Sequence, residues 1–454
     1  MLIRFVVQNV YSFFESKEFN MLPRPKIRTP EGHKYNLNGV ELLKLSAIYG
    51  ANAAGKSNLV KALGLLQQLA TGKITGNKVH DARFKFDQSV PTRQVLAVEF
   101  VQENKPYYYA VELVNGEIAT EELYRSSLGK AEDILLFERK KTEDGNTQIT
   151  FSDVFEKDAK SQLLKAILIE EYLNSSKTIL PWFARRNNPH LSEVKTALQW
   201  FKIMLQIITP ETKPSALALW LDYDQPFKKF AHDTLCAYGL GISKIEVEKK
   251  PIEEIIGAEN NETLTAIREK LINEKEQGYF FMRNHAGDEL IILQENGEVV
   301  GKHLKIFQSD IAGHEAGFDL DELSDGTIRL LDFIPVFQEV VLKPKVYVVD
   351  EIERSMHPSM AKELITKFSH DSLTKVQLIF TTHESNLLDQ SIFRQDEVWF
   401  AEKNPNGSTD LYSLSDFKEH HTIDIRKGYL NGRYGAVPFL ANLHDLNWHA
   451  YDTH

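Results

Sequence analysis

The segment GANAAGKS, Gly50–Ser57, limits what this chain can fold into more than any other stretch of its sequence. It matches the pattern GxxxxGK[ST], follows the apolar stretch KLSAIYG, which predicts a strand, and opens a predicted helix that ends near position 69. Glycines let a loop wrap closely around phosphates, and a helix N-terminus adds positive potential. We therefore predict an ATP site whose loop is shaped by Gly50 and Gly55. Lys56 is expected at the β- and γ-phosphates, and the Ser57 hydroxyl at Mg²⁺.

A second motif, KVYVVDEIERSMHP, carries two adjacent acids. The apolar run Val346–Val349 predicts a buried strand that ends directly before Asp350 and Glu351. An acid at the C-terminal end of a parallel strand beside the P-loop strand is where Mg²⁺ is held. We assign Asp350 to the metal and Glu351 to the attacking water. The alternative for both acids is a helix cap or a surface pair.

Two further motifs follow the same logic. LSDGTIRLLDFIPVF places Ser324 and Gly326 just before an amphipathic helix, where backbone N–H groups can form a second anion-binding helix N-terminus. An ordinary capped helix is the alternative there. QLIFTTHES predicts another apolar strand, which ends near His383. A histidine at that position could sense the γ-phosphate of ATP or be structural.

The rest of the sequence indicates how the chain is organised. Residues 1–158 contain alternating strands with turns, and 159–277 contain short helical segments broken by prolines, without a sustained heptad pattern. We predict an N-terminal ATPase lobe over 1–158, a compact helical insertion over 159–277, a C-terminal ATPase lobe over 278–420 and a C-terminal tail over 421–454. The expected fold class is α/β, a P-loop ATPase with an antiparallel β subdomain and no long coiled coil.

Composition narrows the class of protein. The formal net charge is -11, which disfavours binding to nucleic acid by bulk electrostatics, and we predict that the basic clusters Arg139–Lys141 and Arg185–Arg186 are solvated faces. No run of about eighteen apolar residues occurs, so no membrane partner is expected. The single cysteine, Cys236, indicates a reducing, cytoplasmic location and is predicted to be buried.

The motifs together resemble the ABC-type ATPase heads of the structural-maintenance-of-chromosomes (SMC) group. In GANAAGKSN, Asn52 and Asn58 are typical of that branch, and the resemblance places both at the nucleotide. LSDGT resembles a degenerate LSGGQ signature and ERSMHP resembles the D-loop. Glu351 matches the catalytic glutamate, and His383 the histidine of the H-loop. The resemblance implies a homodimer that sandwiches ATP and Mg²⁺, or a higher homo-oligomer.

Within this group the chain is most similar to stand-alone ATPases related to the OLD family. Several of those are subunits of bacterial anti-phage systems of the PARIS and Septu types. The resemblance covers both ends of the chain, including LNGRYGAVPFL, but not the helical insertion. It implies a switch ATPase that senses a phage-encoded trigger and controls an effector from a neighbouring gene, such as a TOPRIM or HNH nuclease.

The sequence also departs from the family pattern. Asp325 replaces the first glycine of the signature. The motifs identify no Q-loop glutamine, and Gln88 and Gln102 are only weak matches to it. After His383 too little sequence remains for a TOPRIM domain, so the chain is not expected to be the nuclease itself. A DNA repair ATPase resembling RecF is the alternative function, with DNA as a less favoured partner. A nucleotide-binding subunit of a transporter is a third interpretation.

Overall fold

This computed structural model describes residues 1–437, apart from 90, 143, 173–175, 213–216, 258, 274–277, 284–288, 343, 418 and 421–422. The strands are β1 Leu2–Gln8, β2 Lys17–Asn20, β3 Lys34–Leu37, β4 Val40–Leu43, β5 Leu45–Tyr49, β6 Arg93–Gln102, β7 Lys105–Val114, β8 Glu117–Arg125, β9 Ile134–Lys141, β10 Thr147–Phe151, β11 Leu205–Ile208, β12 Ile242–Pro251, β13 Tyr279–Arg283, β14 Glu289–Glu295, β15 Glu298–Ser309, β16 Glu315–Phe318, β17 Lys345–Val349, β18 Val376–Thr381, β19 Val398–Lys403 and β20 Thr409–Ser413. The helices are α1 Lys56–Ala70, α2 Gly76–Asp81, α3 Asp153–Lys157, α4 Ala159–Tyr172, α5 Leu180–Phe183, α6 Ser192–Gln199, α7 Leu217–Tyr223, α8 Gln225–Ala237, α9 Ile252–Ile256, α10 Asn261–Asn273, α11 Asp325–Leu342, α12 Pro358–His370 and α13 Ile425–Leu430.

The described residues fall into two compact units. The first comprises Met1–Pro210, Lys343–Ile352 and the part of the chain from Lys362 onward, and the second comprises Glu211–Leu342 and Glu353–Ala361. Within the described part of the chain, no helix combines the length and the apolar character needed to cross a bilayer.

The first unit contains a six-stranded sheet that carries the P-loop. Its strand order is β11-β17-β18-β5-β19-β20, and every neighbouring pair is parallel except β19 and β20. All residues of β5 and β18 are buried, which explains their near-continuous apolar sequences. Because the first five strands are parallel, their carboxyl ends meet at one edge of the sheet. The sequence predicts that the strand before Asp350 lies beside the P-loop strand, but β18 lies between them.

The first unit also contains the antiparallel subdomain that the sequence predicts. Its strand order is β10-β9-β8-β7-β6-β1-β2, and consecutive strands from β6 to β10 form a meander. Aromatic rings pack within its core: the ring of Trp200 stacks on that of Phe100 with centroids 4.3 Å apart. The predicted α/β class, a P-loop core with an antiparallel β subdomain, is thereby confirmed.

The second unit pairs helices with a sheet of its own. The strand order is β12-β15-β14-β13, and β16 pairs with the C-terminal part of β15. Inside it the Lys302 ammonium, which is fully buried, lies 2.8 Å from a carboxylate oxygen of Asp222 and 2.6 Å from one of Glu295. These contacts lower the pKa of Glu295 to about 2, mainly because its carboxylate accepts a hydrogen bond from Lys302.

The predicted domain boundaries do not coincide with these two units. β11 pairs in parallel with β17, which places residues 159–210 in the first unit. β12 pairs along its whole length with β15, so the predicted helical insertion is a mixed α/β region that continues past residue 277. The sequence shows the helical periodicity of its short segments. It does not show that β12 pairs with β15, because the two strands lie far apart in the chain. Most of the predicted C-terminal tail lies outside the described residues.

Two predictions about single residues are wrong. Cys236 is exposed on α8, where its thiol donates a hydrogen bond to the Ile242 carbonyl oxygen at 3.2 Å. Arg139 is buried within the meander, directly opposite Glu121, and donates to the Lys177 carbonyl oxygen at 2.8 Å. Arg139 is therefore a core cation that compensates a buried carboxylate.

Candidate nucleotide-binding site

The P-loop connects β5 to α1 and needs glycine at two positions. A Cβ atom on Gly50 would overlap the carbonyl oxygen of Ala401 on β19, and one on Gly55 would overlap the hydroxyl of Thr409 on β20. Gly55 also has a φ angle of 110°, which residues with a Cβ atom rarely adopt. Both predicted glycines are therefore required by close packing against neighbouring strands.

Lys56 and the start of α1 supply the positive charge of the loop. Lys56 is 7% exposed, and its ammonium donates to the carbonyl oxygens of Gly50 and Ala51 at 2.7 and 3.0 Å. The ammonium thus binds the backbone of the loop, and Lys56 is the first residue of α1. That combination favours phosphate oxygens at this position. Asn52 is exposed at the tip of the loop.

A chain of hydrogen bonds, here called the P-loop clasp, fixes the loop from behind. It comprises Ser12, Ala54, Asn58 and Thr409. The Asn58 amide donates to Ser12 Oγ at 2.8 Å, Ser12 Oγ lies 2.7 Å from Thr409 Oγ1, and Thr409 Oγ1 lies 2.8 Å from the Ala54 carbonyl oxygen. A carbonyl only accepts, so the single hydroxyl proton of Thr409 goes to the Ala54 carbonyl oxygen. Ser12 therefore donates its own proton to Thr409 Oγ1 and accepts from the Asn58 amide.

The clasp gives Asn58 a structural partner. The nucleotide contact expected from the resemblance stays a prediction, but the observed bond explains an amide at this position. Sequence reasoning missed Ser12 and Thr409, because neither lies in a motif. They meet only through their positions in the fold, 397 residues apart in sequence.

The two predicted acids follow β17 and meet the P-loop through hydroxyl groups. Ser57 Oγ donates to Asp350 Oδ1 at 3.0 Å, and Thr381 Oγ1 at the end of β18 donates to the same oxygen at 2.6 Å. Asp350 is buried, and its N–H donates to the Ile208 carbonyl oxygen of β11 at 2.8 Å. The structure therefore brings the side chains of Ser57 and Asp350 together.

Glu351 begins a tight turn directly after Asp350. Its φ angle is 52°, in the left-handed region, and its N–H donates to Thr381 Oγ1 at 2.8 Å. The next N–H, of Ile352, donates to the Thr381 carbonyl oxygen at 3.2 Å. His383 is exposed two residues after β18 ends, at the same edge of the sheet. The predicted catalytic residues Glu351 and His383 thus both lie at the carboxyl ends of the parallel strands.

The predicted signature turn lies in the second unit, at the start of α11. Ser324 Oγ accepts a hydrogen bond from the Thr327 N–H at 3.3 Å, so Ser324 caps this helix. A Cβ atom on Gly326 would lie 2.6 Å from the Ser355 carbonyl oxygen, which explains glycine at this position. Of the two weak matches to a Q-loop glutamine, Gln88 is exposed and Gln102 ends β6.

A buried acid lies behind the P-loop strand. The Glu397 carboxylate accepts from the Arg394 N–H at 2.8 Å and lies 2.9 Å from Nδ1 of His33. The Ser46 hydroxyl of β5 donates to the Glu397 carbonyl oxygen at 2.9 Å. Burial raises the pKa of Glu397 from 4.5 to about 7. Glu397 is thus a buried carboxyl group that changes its charge near neutral pH.

The residues present fit both ATP and Mg²⁺. Mg²⁺ prefers oxygen ligands, and the Ser57 hydroxyl and Asp350 carboxylate are two such groups within 3.0 Å of each other. A triphosphate fits a loop whose glycines allow close approach and whose helix start and Lys56 are positive. The chemistry of the donor set is thus that of a phosphate and Mg²⁺ site.

Three solved heads of SMC proteins are similar to this chain, each with a TM-score below 0.5. The SMC head domain from Thermotoga maritima is 12% identical, covers 91% of this chain and 98% of its own, and gives a TM-score of 0.38. An Smc head bound to the C-winged helix domain of ScpA is 12% identical over 92% of this chain and 99% of its own, with a TM-score of 0.41. An Smc head with an extended coiled coil, bound to the C-terminal domain of ScpA derived from Pyrococcus furiosus, is 13% identical over 95% and 99%, with a TM-score of 0.40. No curated protein sequence matches the chain.

One family model matches most of the chain. It is described as "AAA domain, putative AbiEii toxin, Type IV TA system", and it matches residues 45–389. This range begins with the P-loop strand, contains Ser324 and the acids after β17, and ends beyond His383. The finer similarity to OLD-related, PARIS or Septu ATPases stays a prediction. The chain belongs to this family of AAA domains.

Proposed function

We propose that this protein is an ATP-hydrolysing switch of a bacterial anti-phage, abortive-infection system and that it controls a separate effector protein. The observation that carries the proposal is the convergence of Ser57, Asp350 and Glu351 at one edge of the parallel sheet, next to the P-loop. The family description supports the biological setting, because it names a type IV toxin–antitoxin system.

The chemistry follows from what each group can do. The N–H groups at the start of α1 and the Lys56 ammonium would bind the phosphates, and Ser57 and Asp350 would hold Mg²⁺. When bound, Mg²⁺ neutralises charge on the β- and γ-phosphates. Glu351 orients a water and accepts its proton while the new bond to the γ-phosphorus forms and the bond to the ADP oxygen breaks. His383 contacts the γ-phosphate.

A second copy of the chain would complete the site. One helix N-terminus and one lysine balance only part of the triphosphate charge. The turn at Ser324 and Gly326 offers a further helix N-terminus, which in a dimer of the SMC-head type comes from the opposite protomer. Hydrolysis would remove the γ-phosphate and loosen that interface, which releases or activates the effector.

Replacement of Glu351 by Gln tests the ATPase assignment. The amide cannot accept the proton of the water, so we expect turnover to fall at least about 100-fold while ATP still binds. Light scattering should show a dimer that persists with ATP in this variant and is transient in the wild type. A variant that hydrolyses ATP at the wild-type rate would refute the role of Glu351.

Co-expression with the neighbouring genes tests the biological role. We expect toxicity and phage resistance only when the chain and its effector are present together, and loss of resistance in the Glu351→Gln variant. Toxicity of this chain by itself would instead make it the toxin named in the family description. Strong stimulation of ATP turnover by DNA, without phage resistance, would favour a repair function.

A further inference from the structure

We propose that Thr381 is a positioning residue of the hydrolytic site, whose hydroxyl holds Asp350 and Glu351 in their separate roles. This inference rests on the proposed ATPase function. None of the sequence motifs assigns a role to Thr381, although it lies two residues before His383.

The directions of its hydrogen bonds are fixed by chemistry. A backbone N–H can only donate, so the Thr381 hydroxyl accepts from the Glu351 N–H at 2.8 Å. The single hydroxyl proton then goes to Asp350 Oδ1 at 2.6 Å. One hydroxyl therefore bonds to both acids, to the carboxylate of the first and to the backbone of the second.

Burial makes these bonds strong. Thr381 is fully buried and Asp350 is 3% exposed, so water does not compete for the hydroxyl. Thr381 ends β18, the strand between β5 and β17. Thr381 therefore lies between β5, which leads to the P-loop, and β17, which leads to the two acids.

Glu351 needs such support because its backbone is in an unfavourable conformation. A φ angle of 52° is disfavoured for a residue with a Cβ atom and persists only where the surroundings hold it. Thr381 holds this turn twice, since its hydroxyl binds the Glu351 N–H and its carbonyl oxygen binds the Ile352 N–H at 3.2 Å. Loss of the hydroxyl removes one of the two bonds and frees Glu351 to leave the position from which it orients water.

The test compares Thr381→Val, which keeps the shape of the side chain, with Thr381→Ser, which keeps the hydroxyl. Thr374→Val is the matched control, because Thr374 is a buried threonine just before the opposite end of β18. The first measurement is hydrogen exchange of the Glu351 amide in nucleotide-free protein, resolved to single residues by mass spectrometry. The second is steady-state ATP turnover, with kcat and KM determined separately.

We expect Thr381→Val to raise the exchange rate of the Glu351 amide at least about tenfold and to lower kcat at least about tenfold. KM for ATP should change less than about threefold, because the P-loop contacts remain. Thr381→Ser should restore both exchange and kcat, and Thr374→Val should change neither. If Thr381→Val does not fold, Thr381→Ala serves in its place.

Wild-type exchange at Glu351 in Thr381→Val would overturn the inference, whatever happens to kcat. Failure of the serine variant to restore protection would overturn it as well. A wild-type protein without ATPase activity would refute the proposed function, while the exchange measurement would still decide whether Thr381 holds Glu351.

Discussion

Removal of the Thr409 hydroxyl is expected to loosen the P-loop from behind. Thr409→Val removes the donor to the buried Ala54 carbonyl oxygen and the acceptor of the Ser12 hydroxyl proton, while the Asn58 amide still donates to Ser12. Each lost hydrogen bond of a buried group costs about 1–3 kcal/mol, so the free energy of unfolding of the first unit should fall by about 2–6 kcal/mol. Part of this loss falls on the loop itself, and the affinity for ATP should fall about tenfold.

Urea unfolding followed by tryptophan fluorescence gives the stability, and titration with a fluorescent ATP analogue gives the affinity. Thr409→Ser keeps the hydroxyl and should restore both. Ser413→Ala removes another buried hydroxyl from β20, bonded to the Val398 carbonyl oxygen and not to the P-loop. It should lower stability without changing affinity. If Thr409→Val unfolds at the wild-type urea concentration and binds ATP normally, the clasp does not support the loop.

Two further substitutions test other parts of the site. Gly55→Ala should abolish ATP binding in the same titration, because the added Cβ would overlap the Thr409 hydroxyl and the φ angle is 110°; wild-type affinity would contradict this packing. Because the pKa of Glu397 is raised to about 7 in the folded protein, its neutral form stabilises the fold fully below about pH 4.5, and this contribution is lost as pH rises through 7. Between pH 5 and pH 8 the urea midpoint of the wild type should therefore fall more than that of Glu397→Gln. If the two midpoints change with pH in parallel, the raised pKa of Glu397 is refuted.

The sequence predicted those parts of the site that are contiguous motifs. Gly50, Gly55, Lys56 and Ser57 follow a local pattern whose chemistry is readable, and the strands of the meander show their alternation. The meeting of Ser57 with Asp350 was predictable because both follow apolar strands of a parallel sheet.

The rest depends on contacts that no local pattern contains. Thr381 was visible in its motif, but its bond to Asp350 depends on the position of β18 between two other strands. Ser12 has no motif at all. Arg139 lies in a basic run that is typical of a surface, and only its register opposite Glu121 reveals a buried pair.

The clasp also has a consequence for biosynthesis. A ribosome that has just passed the P-loop has made Ser12 and Asn58, but it has not yet made Asp350, Thr381 or Thr409. Because domains begin to fold while the chain is still being made, the loop emerges long before the residues that fix its shape. We therefore expect incomplete chains to bind ATP poorly until synthesis has passed β20.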